Sequence, residues 1–234
     1  MISIDTVYQR VLTLANKEQR GYITPQEFNL LANQAQMDIF EQYFYDIAQY
    51  NKTPGNDAEF SDYLTILNEK ISYFEVERGG GWMSTNLNTN MILPEEMYRL
   101  GRVRIGGNQV EMLSSEEFDA VRISYLTSPT EKRPIGYITG GKLNVHNGSY
   151  VNATIGNMNM SYIRKPVKVQ WGYNVINNKA LYNAGTSQDF EIHNSDQVEL
   201  VYKILGLAGI TINKPGLDTI ATQKTTTQQT QEKQ

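Results

Sequence analysis

The sequence contains no cysteine. Disulfide scaffolds, thiolate metal sites and cysteine nucleophiles are therefore excluded outright. There are only two histidines, His146 and His193, in different segments, and neither has a second His, Asp or Glu at a metal-ligand spacing. There is no basic excess: the formal net charge is −4, whereas a general nucleic-acid binder carries a strong positive balance. No apolar run reaches the length of a membrane span. Residues Met1–Arg10 have neither the basic start nor the apolar stretch of a signal peptide, so the expectation is a soluble chain made in a cytoplasm. No G-x-S-x-G elbow, H-E-x-x-H or H-x-E occurs.

What is present is a hydrophobic fraction of 40% over 234 residues, enough to bury a sizeable core in one large or two modest domains. Fifteen tyrosines and abundant Asn, Thr and Gln give a polar, interface-rich character, since tyrosine supplies a large contact area with a polar tip.

The stretch NKEQRGYITPQEF, from Asn16 to Phe28, has the outline of a calcium loop. In that register Asn16, Glu18 and Arg20 would occupy ligand positions 1, 3 and 5, before Gly21 at position 6 and Glu27 at position 12. A guanidinium has no lone pair to give a cation. Helix capping accounts for the same residues: Thr24 as N-cap, Pro25 at the first helical position, Glu27 closing a capping box, and Gly21 ending the helix before.

The first 75 residues read as helices. Ile4, Val7, Val11 and Leu14 recur at helical spacing, as do Phe28, Leu31, Ala35, Ile39, Tyr43 and Ile47 after the turn. Asn51–Asp57 breaks the pattern with Pro and Gly, and Phe60, Leu64, Leu67, Ile71 and Phe74 mark a third helix. Short turns between three helices predict an antiparallel bundle. The polar run Arg78–Asn90 lacks the Gly-Lys-Ser/Thr of a phosphate loop and reads as a helix stop and crossover.

From Met91 the period changes to two. Hairpins are expected at Gly106-Gly107-Asn108 and at Gly140-Gly141, with a capping box at Ser114 and Glu117 opening a short helix between them. Strands follow near Met160–Arg164 and at Asp189–Ile192. A final, largely buried helix starts near Ser195, carries Val198, Val201, Ile204, Leu205 and Ala208, and can end at Gly209. The carboxylates Glu95, Glu96, Glu116 and Glu117 are placed at helix starts. The tail ATQKTTTQQTQEKQ is polar and of low complexity, with nothing to bury.

The expected fold class is α+β. A helical bundle occupies residues 1–78, a linker 79–90, a β-rich region ending in a helix 91–212, and an extended arm 213–234.

The most distinctive segment is YIRKPVKVQWGYNV, Tyr162–Val175. Arg164, Lys165 and Lys168 alternate with Tyr162, Trp171 and Tyr173, a mixture that suits either a subunit interface or a DNA-facing surface. These six are the candidate site residues. No catalytic, cofactor-binding or metal residue is assigned.

The order of these features carries a resemblance. A helical start, an α/β middle, YIRKPVKVQWGY, then SQDFEIHNSDQVELVYKILGLAGI and a polar tail resemble the head-to-tail ring (connector or neck) proteins of crAss-like and related podovirus-type tailed bacteriophages. The likeness is best over Arg133–Ile212. It implies a non-enzymatic virion protein at the head-tail junction. Such a protein forms a homo-oligomeric ring, usually twelvefold, that contacts the portal and other neck or tail proteins. DNA passes through the ring without sequence-specific binding, and no cofactor or membrane is involved. The long β-type middle departs from the mostly helical adaptor fold.

Two other readings compete with it. A carbohydrate- or receptor-binding tail module would need an exposed aromatic platform, at Trp82 or Trp171. A lytic-cycle enzyme would need two facing carboxylates.

Overall fold

The structure, a computed structural model, describes residues 1–17, 22–50, 58–79, 89–148, 158–177 and 179–211. The expected helix end at Gly21, the break at Asn51–Asp57, most of the 79–90 linker with Trp82, and the 213–234 arm lie outside the described residues. The chain is mixed α+β. It divides into two compact units, Met1–Tyr73 with the chain from Pro166 onward, and Phe74–Lys165. This differs from the sequential division at 78, 90 and 212. The physical reason is that the last helix finds its apolar partners among the first ones, while the residues after Tyr73 pair as a strand.

In the first unit, α1 (Ile4–Lys17) buries Ile4, Val7, Tyr8, Val11 and Ala15. Leu14, expected in that stripe, is 38% exposed because Ala15 and Tyr8 complete the buried face instead. Helix α2 (Pro25–Tyr50) buries Phe28, Ala32, Ala35, Ile39, Phe40 and Tyr43. Helix α3 (Ala58–Ser72) contributes Leu67 and Ile71.

The capping box at the α2 start is formed. Thr24 Oγ1 accepts the Glu27 N–H at 3.3 Å, and the Glu27 carboxylate accepts the Thr24 N–H at 3.0 Å and hydroxyl at 2.9 Å. The Thr24 backbone N–H, followed by its hydroxyl, holds the Glu27 carboxyl below its ordinary value of 4.5. A lowered folded pKa contributes stability that is full above the unfolded value and lost as pH falls through the folded one. Thr24→Ala removes the side-chain cap and is expected to lower stability by about 1 kcal/mol at neutral pH. Its deficit against wild type should shrink as Glu27 protonates, read from urea midpoints across an acid series.

The second unit is built from strands around one core. Its elements are β1 (Glu75–Gly79), β2 (Thr89–Ile92), β3 (Met97–Ile105), β4 (Asn108–Gln109), β5 (Glu111–Met112), α4 (Ser115–Ile123), β6 (Ile135–Thr139), β7 (Lys142–His146) and β8 (Met158–Arg164). One sheet has the order β1-β8-β3-β4 and the other β2-β7-β6-β5. All pairs are antiparallel except β5 with β6. Val103, Leu143, Val145, Met158, Met160 and Tyr162 from both sheets share one cluster with Leu93 and Val110.

Both glycine hairpins form where the sequence predicts them. Gly106 and Gly107 have φ of 55° and 87°, and Gly140 and Gly141 have 54° and 71°. Two successive positive φ values are what a tight two-residue turn between right-twisted strands requires. The Ser114–Glu117 capping box opens α4. Glu95 and Glu96, in contrast, precede a strand and not a helix. Strand β1 is a further correction, since these residues read as the end of the helical region. They become a strand because β8 pairs with all five of them, Glu75 to Gly79.

The chain then returns to the first unit through β9 (Tyr173–Ile176), β10 (Lys179–Tyr182) and α5 (Gln197–Thr211). Helix α5 packs on α2 and α1, and α3 packs on α2. Leu200, Val201, Ile204, Leu205 and Ala208 of α5 are buried, Val198 is 44% exposed, and the helix runs past Gly209. Asp189–Ile192 is no strand. It makes a single bridge, Ile2 with Phe190, next to that of Gln170 with Gln188, and side chains take neighbouring backbone groups: Gln36 accepts the Glu191 N–H at 3.3 Å and Gln188 donates to the Asp189 carbonyl at 3.5 Å. No described helix is long and apolar enough to cross a membrane.

Candidate assembly interface

The basic-aromatic segment is divided between the two units. Tyr162, Arg164 and Lys165 belong to the Phe74–Lys165 unit, and Lys168, Trp171 and Tyr173 to the other.

Tyr162 is 1% exposed. Its position on β8 points inward to the sheet core, while its hydroxyl donates to Glu96 at 2.7 Å. Burial, then the Glu96 hydrogen bond, pushes its pKa up. Arg78 also donates to Glu96, at 3.0 Å. The Arg164 guanidinium lies 6.0 Å from the Phe74 ring centroid and donates to the Lys165 carbonyl at 3.3 Å. Lys165 and Lys168 are exposed.

Trp171 is 3% exposed. Its ring lies 4.5 Å from Tyr8, 5.8 Å from Tyr173 and 5.7 Å from Tyr182, and its indole N–H donates to Asp5 at 3.0 Å. The expectation that Tyr162 and Trp171 face a neighbour or DNA is thus corrected: both rings are spent on the interior of their own unit. Trp171 likewise offers no exposed platform for a carbohydrate.

What the residues from Val167 to Trp171 do is pair with a helix. Three amide side chains on α2 act as a strand would. Asn29 accepts the Trp171 N–H at 2.7 Å and donates to its carbonyl at 3.3 Å. Asn33 does the same for Val169, at 2.9 and 2.8 Å. Gln36 donates to the Val167 carbonyl at 2.8 Å, and Glu191 accepts the Val167 N–H at 2.8 Å. The match is geometric. One helical turn of four residues rises about 6 Å, and two residues of extended chain advance about 6.6 Å. A sequence signal for it exists: Asn29, Asn33 and Gln36 recur at helical spacing beside the buried Phe28, Ala32 and Ala35.

Gly172 closes this segment where no side chain fits. A Cβ there would lie 2.1 Å from Thr186 Oγ1 and 2.7 Å from the Thr186 carbonyl carbon. Gly172→Ala is expected to cost about 2–3 kcal/mol through forced displacement of backbone. A melting midpoint equal to wild type would contradict it.

A second polar cluster surrounds Asp196, 2% exposed, which accepts hydrogen bonds from the Tyr43 hydroxyl, from Lys70 at 2.7 Å and from Ser195 at 2.9 Å. His193 Nδ1 lies 2.9 Å from Ser195 Oγ and accepts the Ser195 N–H at 3.3 Å. The serine lies between imidazole and carboxylate, so the carboxylate does not orient the imidazole as a hydrolase triad needs. The arrangement caps the short 3-10 turn Asn194–Asp196 and ties it to α2 and α3. Among the described residues, no group of three or more His, Asp or Glu could hold a metal ion.

The surface carries two apolar features that the sequence reading missed. Ile123, the last residue of α4, and Tyr125 and Leu126 just after it are 84%, 98% and 93% exposed. The β9–β10 ribbon is a two-stranded sheet on its own, with Val175 at 65%, Ile176 at 54% and Leu181 at 50%. The ribbon was legible as YNVINNKALY, two alternating runs about an Asn-Asn turn, and Asn177 has the positive φ of 51° that such a turn uses. No protein-family model matches the chain, and no curated protein matches it.

Proposed function

We propose that this chain is a non-enzymatic structural subunit of a tailed-phage virion, one copy of a connector ring below the portal through which DNA passes. The observation that carries the reading is the exposure of Ile123, Tyr125 and Leu126 together with the apolar ribbon β9–β10. Single exposed apolar side chains are ordinary, but three among four successive residues, each above 80%, are area that an assembly covers. The net charge of −4 agrees with a channel that must release its DNA, because every phosphate contact adds salt-dependent affinity.

On this reading the helices of the first 73 residues act as an antiparallel bundle and residues 213–234 as an arm on a neighbouring protein. Lys165 and Lys168 are the residues of the basic segment left to meet DNA or a neighbour. The test is imaging of purified virions in which the chain bears a small tag. A ring of tag density at the head-tail junction is expected. Absence of the chain from purified virions would overturn the reading.

A further inference from the structure

We infer that the apolar hook Ile123–Leu126 of one copy docks in the groove between α1 and α5 of the next copy, so that the chain self-associates head to tail. The inference rests on the assembly reading above and names its contact.

The groove has a volume of about 610 Å³. Its apolar lining is Leu14, Val198 and Val201, with Tyr202 beside them and Arg10 and Asp5 among its polar residues. Leu14 and Val198 are 38% and 44% exposed, so the chain itself leaves this lining partly uncovered. The hook offers the converse shape, the end of α4 and the turn at residues 125–127 after it, with Ile123, Tyr125 and Leu126 in solvent. A tyrosine alone buries roughly 150–250 Å². Three such residues supply a large part of the roughly 800 Å² that each partner gives to a standard interface.

Charge selects the occupant. On α1, Arg10 stands four residues before Leu14; on α4, Asp119 stands four residues before Ile123. Residues four apart share one helix face. Each surface therefore carries an apolar residue with a charge one turn towards its N-terminus, and the charges are opposite. Laid side by side in the same direction, Ile123 meets Leu14 as Asp119 meets Arg10. Both charged residues are exposed, and neither has an ion pair among the described residues. The groove's own carboxylate, Asp5, is engaged by the Trp171 indole N–H. Hook and groove are different surfaces of one chain. Each copy that docks still presents one free hook and one free groove, the geometry of a ring or a filament.

The experiment is sedimentation velocity of the full chain over a concentration series, with melting curves as the folding control. Asp119→Arg and Arg10→Asp are each expected to weaken self-association about tenfold through like-charge contact. The double reversal should restore it, and Leu126→Ser should weaken it about thirtyfold, as removal of a central anchor does. Melting midpoints should stay unchanged, since these side chains are exposed. Self-association indifferent to Asp119→Arg and Leu126→Ser would overturn the hook and leave the assembly reading standing. Loss in both single reversals without recovery in the double would overturn the Arg10–Asp119 pairing. A wild-type chain that stays monomeric at every concentration would overturn the inference; the virion imaging then decides the assembly reading on its own.

Discussion

Trp171→Ala is expected to destabilise the first unit by about 3–5 kcal/mol, the range for removing a large buried aromatic. The indole is 3% exposed and packed against Tyr8, Tyr173 and Tyr182. Its loss leaves a cavity between α1 and the start of β9, and leaves the Asp5 carboxylate without its donor. Against a typical total stability of about 5–15 kcal/mol, that is a large fraction. The consequence runs opposite to the interface role suggested by the sequence, in which the variant folds normally and fails only in assembly. Trp171→Phe separates the contributions: it keeps most of the packing, loses only the N–H bond, and should cost about 1–2 kcal/mol. Denaturant unfolding of the three proteins measures both. A Trp171→Ala midpoint equal to wild type would show that the ring is not part of the core.

Asn33→Ala should cost about 2–4 kcal/mol. Asn33 serves both the N–H and the carbonyl of Val169, which is 2% exposed. Each buried backbone group left without a partner costs roughly 1–3 kcal/mol. Asn33→Asp is no rescue, because its carboxylate can accept from the N–H but sets a second oxygen against the Val169 carbonyl. The neighbouring Gln34 is exposed, and Gln34→Ala should stay within about 0.5 kcal/mol. Native-state hydrogen exchange gives the specific readout: the Val169 amide loses protection in Asn33→Ala and keeps it in Gln34→Ala. Equal protection in both variants would mean that the amide ladder does not hold the segment.

The two effects share a cause. The segment from Val167 to Trp171 is extended chain without a sheet of its own, and its stability is borrowed from helix side chains. A mixture of Lys, Val, Gln and Trp around a proline looks the same on paper whether it lies on a neighbour or inside its own unit. The choice depends on Asn29, Asn33 and Gln36, more than 130 residues away in sequence. Nothing local in KPVKVQW records that distance.

Capping boxes and glycine turns were legible because their chemistry is complete within four residues. Thr24 with Glu27, Ser114 with Glu117, and the pairs Gly106-Gly107 and Gly140-Gly141 all form as the sequence predicts. The burial of α5 was also legible, since Val201, Ile204, Leu205 and Ala208 face several ways round the helix. Strand β1 was not, because Glu75–Gly79 alternates too briefly to show a period, and only β8 makes it a strand. Leu14 was misassigned to the core because a spacing of three fits a stripe as well as four does. Packing put Ala15 inward and left Leu14 beside the groove.

By itself, then, the sequence determined the local chemistry: which glycine turns close, where the two capped helices at Thr24 and Ser114 start, and the exclusion of thiol chemistry. The tertiary structure decided which distant segments meet. It joined α5 to α1 and α2, gave β1 to β8, buried Tyr162 and Trp171, and left Ile123, Tyr125 and Leu126 outside. The reason is that capping and turn energies are settled over a few residues. Burial, in contrast, is a competition among all apolar surfaces of the chain for a limited interior, and its outcome is not written at any single position.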